Sequence, residues 1–377
     1  MVNKPSPSGE YAVGTFTHTI RTDRDEVLAP GTKRTVPVRV YYPVLKASVE
    51  GMSKIRYMSR DMANALKKSM HAPINYDKSD AAGDNFSDCY ENAPKIEGMK
   101  FPPIMFNHGL ASYREANSFL CLDLASHGYV VISVGHPYDA SLTELDDGTK
   151  IELYKDTMKK QYEPFLPGAV SVLKLTNSKG TDKELADRMD VIQNKYCKYI
   201  MSRVGEWVKD TLCAVDYAKE NLSDIIDFSN GIGAAGHSLG GATAYMLCLD
   251  SSEFVCGANL DGALFGSNKG KILTKPFVQI SCKANRNAET RPYVGHTKPV
   301  FGVLFNKMQH IGFSDMKHMI PLKMITGRLD ADLMHGYVCR LHLELFDTYL
   351  KKVKDRPDIT GCDMIKIKEY QPDIKEE

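Results

Sequence analysis

Gly236-His237-Ser238-Leu239-Gly240 carries the Gly-x-Ser-x-Gly spacing, with the small apolar run 231–235 before it and Ala242 to Leu247 after it. Strand, sharp turn and helix in that order present a serine hydroxyl as a nucleophile at the top of a sheet. Glycine at 236 and 240 relieves the crowding that a Cβ would cause at such a strained turn. Ser238 is the candidate nucleophile. The five-residue pattern alone is common in chains of this length, so the flanking strand and helix carry the reading.

A serine hydroxyl is a weak nucleophile and needs an imidazole base, a carboxylate to orient that base and donors for an oxyanion. The expected chain order on such a scaffold is serine, acid, histidine. Five histidines follow Ser238. His310 comes a short loop after the strand-like run 300–305 and is the candidate base; His318 is the alternative. His296 falls too early for the last strand, and His335 and His342 sit in a helical pattern that makes them helix-surface residues. His136 precedes the nucleophile and fails the order.

Asp261 ends the apolar run 254–260, and catalytic groups gather at the C-terminal ends of strands in open α/β sheets. The more usual place for the acid is after the next strand, 276–282. The loop there, 283–289, offers no Asp and only Glu289 at its far end. Asp261 is therefore the candidate acid, against the plainer reading that it caps a turn before Gly262. The two oxyanion donors are expected to be the backbone N–H of Leu239 and that of Leu110, which follows strand 103–106 in an Asn-His-Gly loop. His108 in that loop reads as structural.

The segments Phe106-Asn107-His108-Gly109-Leu110, Leu124 to Val131, Gly236 to Thr243, Asn259 to Phe265 and His310 to Asp315 together resemble the plasma-type platelet-activating-factor acetylhydrolase family. The likeness runs from about Tyr11 to Tyr349, and that family also keeps its acid in a Leu-Asp segment on the earlier strand. The resemblance implies an α/β-hydrolase fold, with a mostly parallel central sheet flanked by helices. It implies a calcium-independent serine esterase that removes short or oxidised acyl chains from phospholipids or related esters, with no cofactor or metal. Leu239 departs from it, since vertebrate members carry an aromatic residue there.

The elements that must position these residues read as a single domain with insertions at 46–100, before the oxyanion strand, and at 142–204, a lid-like stretch before the nucleophile strand. A charged tail, 355–377, is expected to stay outside the core. Tyr11 to Phe16 and Arg34 to Tyr42 are expected to pair antiparallel, the alternation of Val36, Val38 and Val40 marking one buried face. A helix is expected over 57–66, and two more over 182–201 and 205–220. Phe165 and Leu166, flanked by prolines, are candidates to line an entrance or to touch a lipid surface.

The 377 residues carry a net charge of +1 with 25% charged residues, which offers no large field for nucleic acid. The partner expected is a small ester or phospholipid, with peripheral lipid contact open and oligomeric state undetermined. No run reaches the length of a membrane span, and the N-terminal residues lack an apolar signal core. The nine cysteines, an odd number, read as buried free thiols in a cytoplasmic protein, secretion remaining open if a signal peptide was removed. Two other functions fit parts of the sequence: a general carboxylesterase acting on aryl esters, polyesters, feruloyl esters or lactones, and a non-catalytic binding protein.

Overall fold

Strands buried on both faces read as unbroken apolar runs, whereas strands with one wet face alternate, and the chain contains both kinds. In the computed structural model, which describes residues 4–320 and 322–373, they fall into two compact units.

The first unit comprises residues 4–154, 210–229 and 314–320. Strands β1 (Ala12–Asp25) and β2 (Lys33–Val44) pair antiparallel, with Ala12 opposite Val44 and Ile20 opposite Val36. The pairing is the one expected, but β1 runs further than Phe16. Then come β3 (Lys54–Arg56), helices α1 (Arg60–Met70) and α2 (Tyr76–Ala81), β4 (Phe86–Glu91), β5 (Pro103–Asn107), α3 (Ser118–Ser126) and β6 (Val130–Val134). The order across this part of the sheet is β3-β4-β1-β2-β6-β5, with β5 and β6 parallel. Helix α1 starts at Arg60 rather than 57 because the Ser59 side chain accepts from the Met62 N–H. Its Met62, Ala63 and Leu66 are buried, one face of a helix. A short hairpin, β7 (Leu142–Glu144) and β8 (Lys150–Glu152), follows.

The second unit comprises residues 155–209, 230–313 and 322–373. Its helices are α4 (Phe165–Thr176), α5 (Asp182–Tyr196) and α6 (Lys198–Asn221), the last continuing past residue 209 into the first unit's segment. The break between α5 and α6 lies at Cys197, earlier than expected. Strands β9 (Ile232–His237), β10 (Phe254–Leu260), β11 (Phe277–Cys282) and β12 (Val300–Phe305) run parallel side by side. Helix α7 (Leu239–Asp250) packs on β9 and β10, and α8 (Ala331–Tyr349) on β10 and β11.

Two expectations, on the tail and on His342, need correction here. The charged tail is not outside the core: Ile365–Tyr370 forms β13, antiparallel to β12 at the edge, with Ile365 buried; residues 374–377 lie outside the described part. Phe165 and Leu166, the candidates to line an entrance or touch a lipid surface, lie in the first turn of α4, with Pro164 as its N-cap and Pro167 where no intrahelical N–H bond is lost. His342 is buried in α8 rather than on its surface, its Nδ1 donating to the Val338 carbonyl at 2.8 Å. No described helix is long and apolar enough to cross a membrane.

Candidate active site

Strand β9 ends in the turn that carries Ser238, whose φ of 58° and ψ of −122° are a conformation that residues with a Cβ rarely adopt. The surroundings hold it there. Its N–H donates to the Leu260 carbonyl at 2.9 Å, and its carbonyl accepts from the N–H groups of Gly241 at 3.0 Å and Ala242 at 3.2 Å. Two glycines allow this packing: a Cβ at Gly262 would lie 2.0 Å from the Ser238 carbonyl oxygen, and one at Gly241 only 1.7 Å from Asn259 Oδ1. Asn259 clamps the same turn, donating to the Gly262 carbonyl at 2.8 Å and accepting from the Gly262 N–H at 2.9 Å.

Asp261 follows β10 with φ at 56° and its side chain fully buried. Its Oδ1 accepts from the Cys282 N–H; its Oδ2 lies 2.8 Å from His310 Nδ1 and 2.7 Å from Asn285 Nδ2. Burial opposes the charge of Asp261, but the hydrogen bond and charge of His310 and the Cys282 N–H outweigh it and hold the carboxyl below the usual carboxylate range. His310 opens a 3₁₀ turn five residues after β12, and its Nε2 lies 2.8 Å from Ser238 Oγ. Ser238, His310 and Asp261 thus form one continuous hydrogen-bonded line, the arrangement in which imidazole takes a serine proton while a carboxylate fixes its tautomer.

Residues 1–290 match the family described as platelet-activating factor acetylhydrolase, isoform II. The chain belongs to that family. Among relatives of this acetylhydrolase-family chain, the platelet-activating factor acetylhydrolase of Canis lupus familiaris is 31% identical over 179 residues, covering 45% of this chain and 37% of the relative. That of Cavia porcellus is 23% identical over 278 residues, covering 69% of this chain and 60% of the relative. The chain therefore spans less than two fifths of the length of the dog relative and under two thirds of the guinea-pig one. A solved ferulic acid esterase from Streptomyces cinnamoneus superposes with a TM-score of 0.72 at 19% identity, covering 96% of this chain and 98% of that one. The fold is the expected α/β-hydrolase fold.

The remaining candidates of this acetylhydrolase-family chain fall as follows. The Leu239 N–H is the first of α7 and has no protein acceptor among the described residues, as helix starts leave their N–H groups. Leu110 lies in the first unit, in the loop after β5; its N–H likewise has no acceptor there, while the adjacent Ala111, at φ 55°, donates to the Asp139 carbonyl at 2.7 Å. His108 braces that loop, its Nδ1 bonded to the Gly109 carbonyl at 2.7 Å and its Nε2 accepting from the His136 N–H at 3.3 Å. His136 spans Asp210 and Asn107 at 2.9 and 3.0 Å, and Arg34 joins Asp210 at 2.5 Å, so β5 ends on a buried ionic network. His318, the alternative base, packs edge-on against Phe119 in the first unit.

Sequence reasoning missed three groups in the second unit. His237 is buried beside His310, Asn285 bridges toward the Asp261–His310 contact, and Asn259 locks the elbow. Glu289, the rival acid, bonds instead to Gln279 Nε2 at 3.1 Å. Burial, reinforced by the charge of Asp261, pushes its carboxyl well above the ordinary range and so favours its uncharged form.

Proposed function

We propose that the chain is a serine ester hydrolase of the acetylhydrolase kind, removing short or modified acyl groups from phospholipids through an acyl-enzyme. The observation that carries this reading is the Ser238–His310–Asp261 line, with 2.8 Å at each link. Ser238 Oγ attacks the ester carbonyl as His310 Nε2 takes its proton. The Asp261 carboxylate keeps the other ring proton on Nδ1 and favours the imidazolium as it forms. The Leu239 N–H receives the oxyanion, such a donor being worth about 100- to 1,000-fold in rate. His310 then protonates the leaving alcohol, and water repeats the sequence to release the acid.

The family membership and the names of the relatives support acetylated or oxidised phospholipid as the substrate class. Helix α4 supports contact with a lipid surface: Phe165, Leu166 and Leu173 are 52%, 71% and 63% exposed and Val170 is exposed beside them. Such a run of large apolar side chains facing water marks an interaction surface. All nine cysteines are free and only Cys362 is exposed, which supports a reducing, cytoplasmic setting.

The test is hydrolysis of p-nitrophenyl esters from acetate to palmitate, together with an acetylated ether phospholipid, by the wild type and Ser238→Ala. Turnover of short esters and the phospholipid, lost in the variant, is the expected result. Short-ester turnover without the phospholipid makes the protein a general carboxylesterase. Equal turnover by both proteins removes Ser238 from the mechanism.

A further inference from the structure

Asn285 sits in the turn after β11, the position at which an acid was sought in the sequence and not found. Its Nδ2 lies 2.7 Å from Asp261 Oδ2 and 3.2 Å from His310 Nδ1. The shorter contact is a hydrogen bond to the carboxylate. The longer one brings two donors together whenever Nδ1 carries its proton toward Asp261, so it is proximity and not a bond. The side chain therefore stands within reach of both the acid and the ring nitrogen that the acid serves. Its backbone is fixed independently, the Asn285 N–H donating to the Cys282 carbonyl at 3.3 Å and its carbonyl accepting from the Ala288 N–H at 2.8 Å.

We propose that Asn285 is a positioning residue that occupies a second acid station: it tunes Asp261 through one hydrogen bond, and a carboxylate placed there serves His310 in place of Asp261. The proposal rests on the triad reading above. Two consequences follow from the geometry. The Asn285 amide shares Asp261 Oδ2 with His310 and draws charge from it, which weakens the hold of the carboxylate on the imidazole proton. Exchanging the two side chains, amide at 261 and carboxylate at 285, conserves charge and shape and only reverses the direction of the 2.7 Å hydrogen bond. An amide at 261 still offers an oxygen to the Cys282 N–H, so the buried donor stays satisfied.

The experiment compares kcat/KM for p-nitrophenyl acetate in Asp261→Asn, in the double exchange Asp261→Asn with Asn285→Asp, and in that pair with Glu289→Gln added. Asp261→Asn is expected to fall by about 10⁴-fold, as removal of a triad acid does elsewhere. The double exchange should then recover at least about 10-fold of that loss by restoring a carboxylate to Nδ1, and Glu289→Gln should leave the recovery intact. A folded double exchange no faster than Asp261→Asn overturns the proposal while leaving the triad in place. Full activity in Asp261→Asn overturns the acid assignment and the proposal with it. Asn285→Ala supplies a second readout that survives poor folding of the exchange: the acid limb of its kcat/KM profile should move to higher pH with KM unchanged. An unmoved limb leaves Asn285 a merely structural residue.

Discussion

The imidazole of His237 lies against that of His310, centroids 4.9 Å apart and planes tilted by 30°, and its Nε2 donates to the His310 carbonyl at 3.1 Å. The residue next to Ser238 thus holds the backbone of His310. Burial, helped by the neighbouring His310, pushes His237 down to about 3, so it stays uncharged and does not oppose an imidazolium beside it.

His237→Ala should therefore lower kcat by about 10- to 100-fold, the cost of a base displaced by a fraction of a bond length, with KM changed little. Steady-state kinetics on a soluble ester decides this; an unaltered kcat means that the loop holds His310 without help.

Glu289→Gln should retain activity and gain stability with rising pH. In the fold the carboxyl is held well above its ordinary range, whereas in the unfolded chain it ionises above about 4.3. Its contribution is therefore present at low pH and lost as pH climbs from the unfolded value toward the raised folded one. Melting curves should coincide at pH 4, and at pH 8 the variant should melt roughly 2–4 °C higher. A lower melting point for the variant at pH 8 contradicts this upward shift of the carboxyl.

Asp315 offers a second pH window, in the first unit. Its Oδ2 accepts from Ser118 Oγ at 2.8 Å and from Tyr57 Oη at 3.0 Å, and the Phe119 N–H approaches at 3.3 Å, yet burial prevails and pushes the carboxyl up to about 8. Stability should decline between about pH 4 and about pH 8 as the unfolded chain loses this proton first. Asp315→Asn should flatten that decline. Asp315→Ala should also lose the pH dependence, but at pH 4 it should be less stable than the wild type by about 1–3 kcal/mol, because it leaves the buried Ser118 hydroxyl without its acceptor. Denaturant titrations across the window measure both.

Phe165→Ser with Leu166→Ser should reduce co-sedimentation with phosphatidylcholine vesicles by at least about 10-fold, since burying each such side chain contributes about 1.5–3 kcal/mol. Turnover of p-nitrophenyl acetate should not change. Undiminished vesicle binding would move the lipid-facing role away from α4.

The candidate nucleophile was legible because its signal is local: strand, Gly-x-Ser-x-Gly and helix occupy one stretch of chain. Asp261 and His310 were legible at one remove, through chain order and the ends of β10 and β12. Asn259, His237 and Asn285 were not, because polar residues in and after strands acquire meaning only when β9, β10 and β11 lie side by side and their ends converge. The fold misled where composition and context disagreed. Prolines at 164 and 167 gave no helix signal, yet they cap and open α4. In Ile365-Lys366-Ile367-Lys368 the alternation was masked by its charge, although lysines on an edge strand are a common guard against unwanted pairing.

Both Ser238 and Asp261 hold positive φ, at 58° and 56°. Each costs roughly 1–3 kcal/mol of backbone strain that glycine would relieve. A library of variants screened only for survival on heating would therefore enrich glycine at the two positions the proposed chemistry needs most and drift toward a sturdier protein without it; heat tolerance in this chain has to be sought elsewhere.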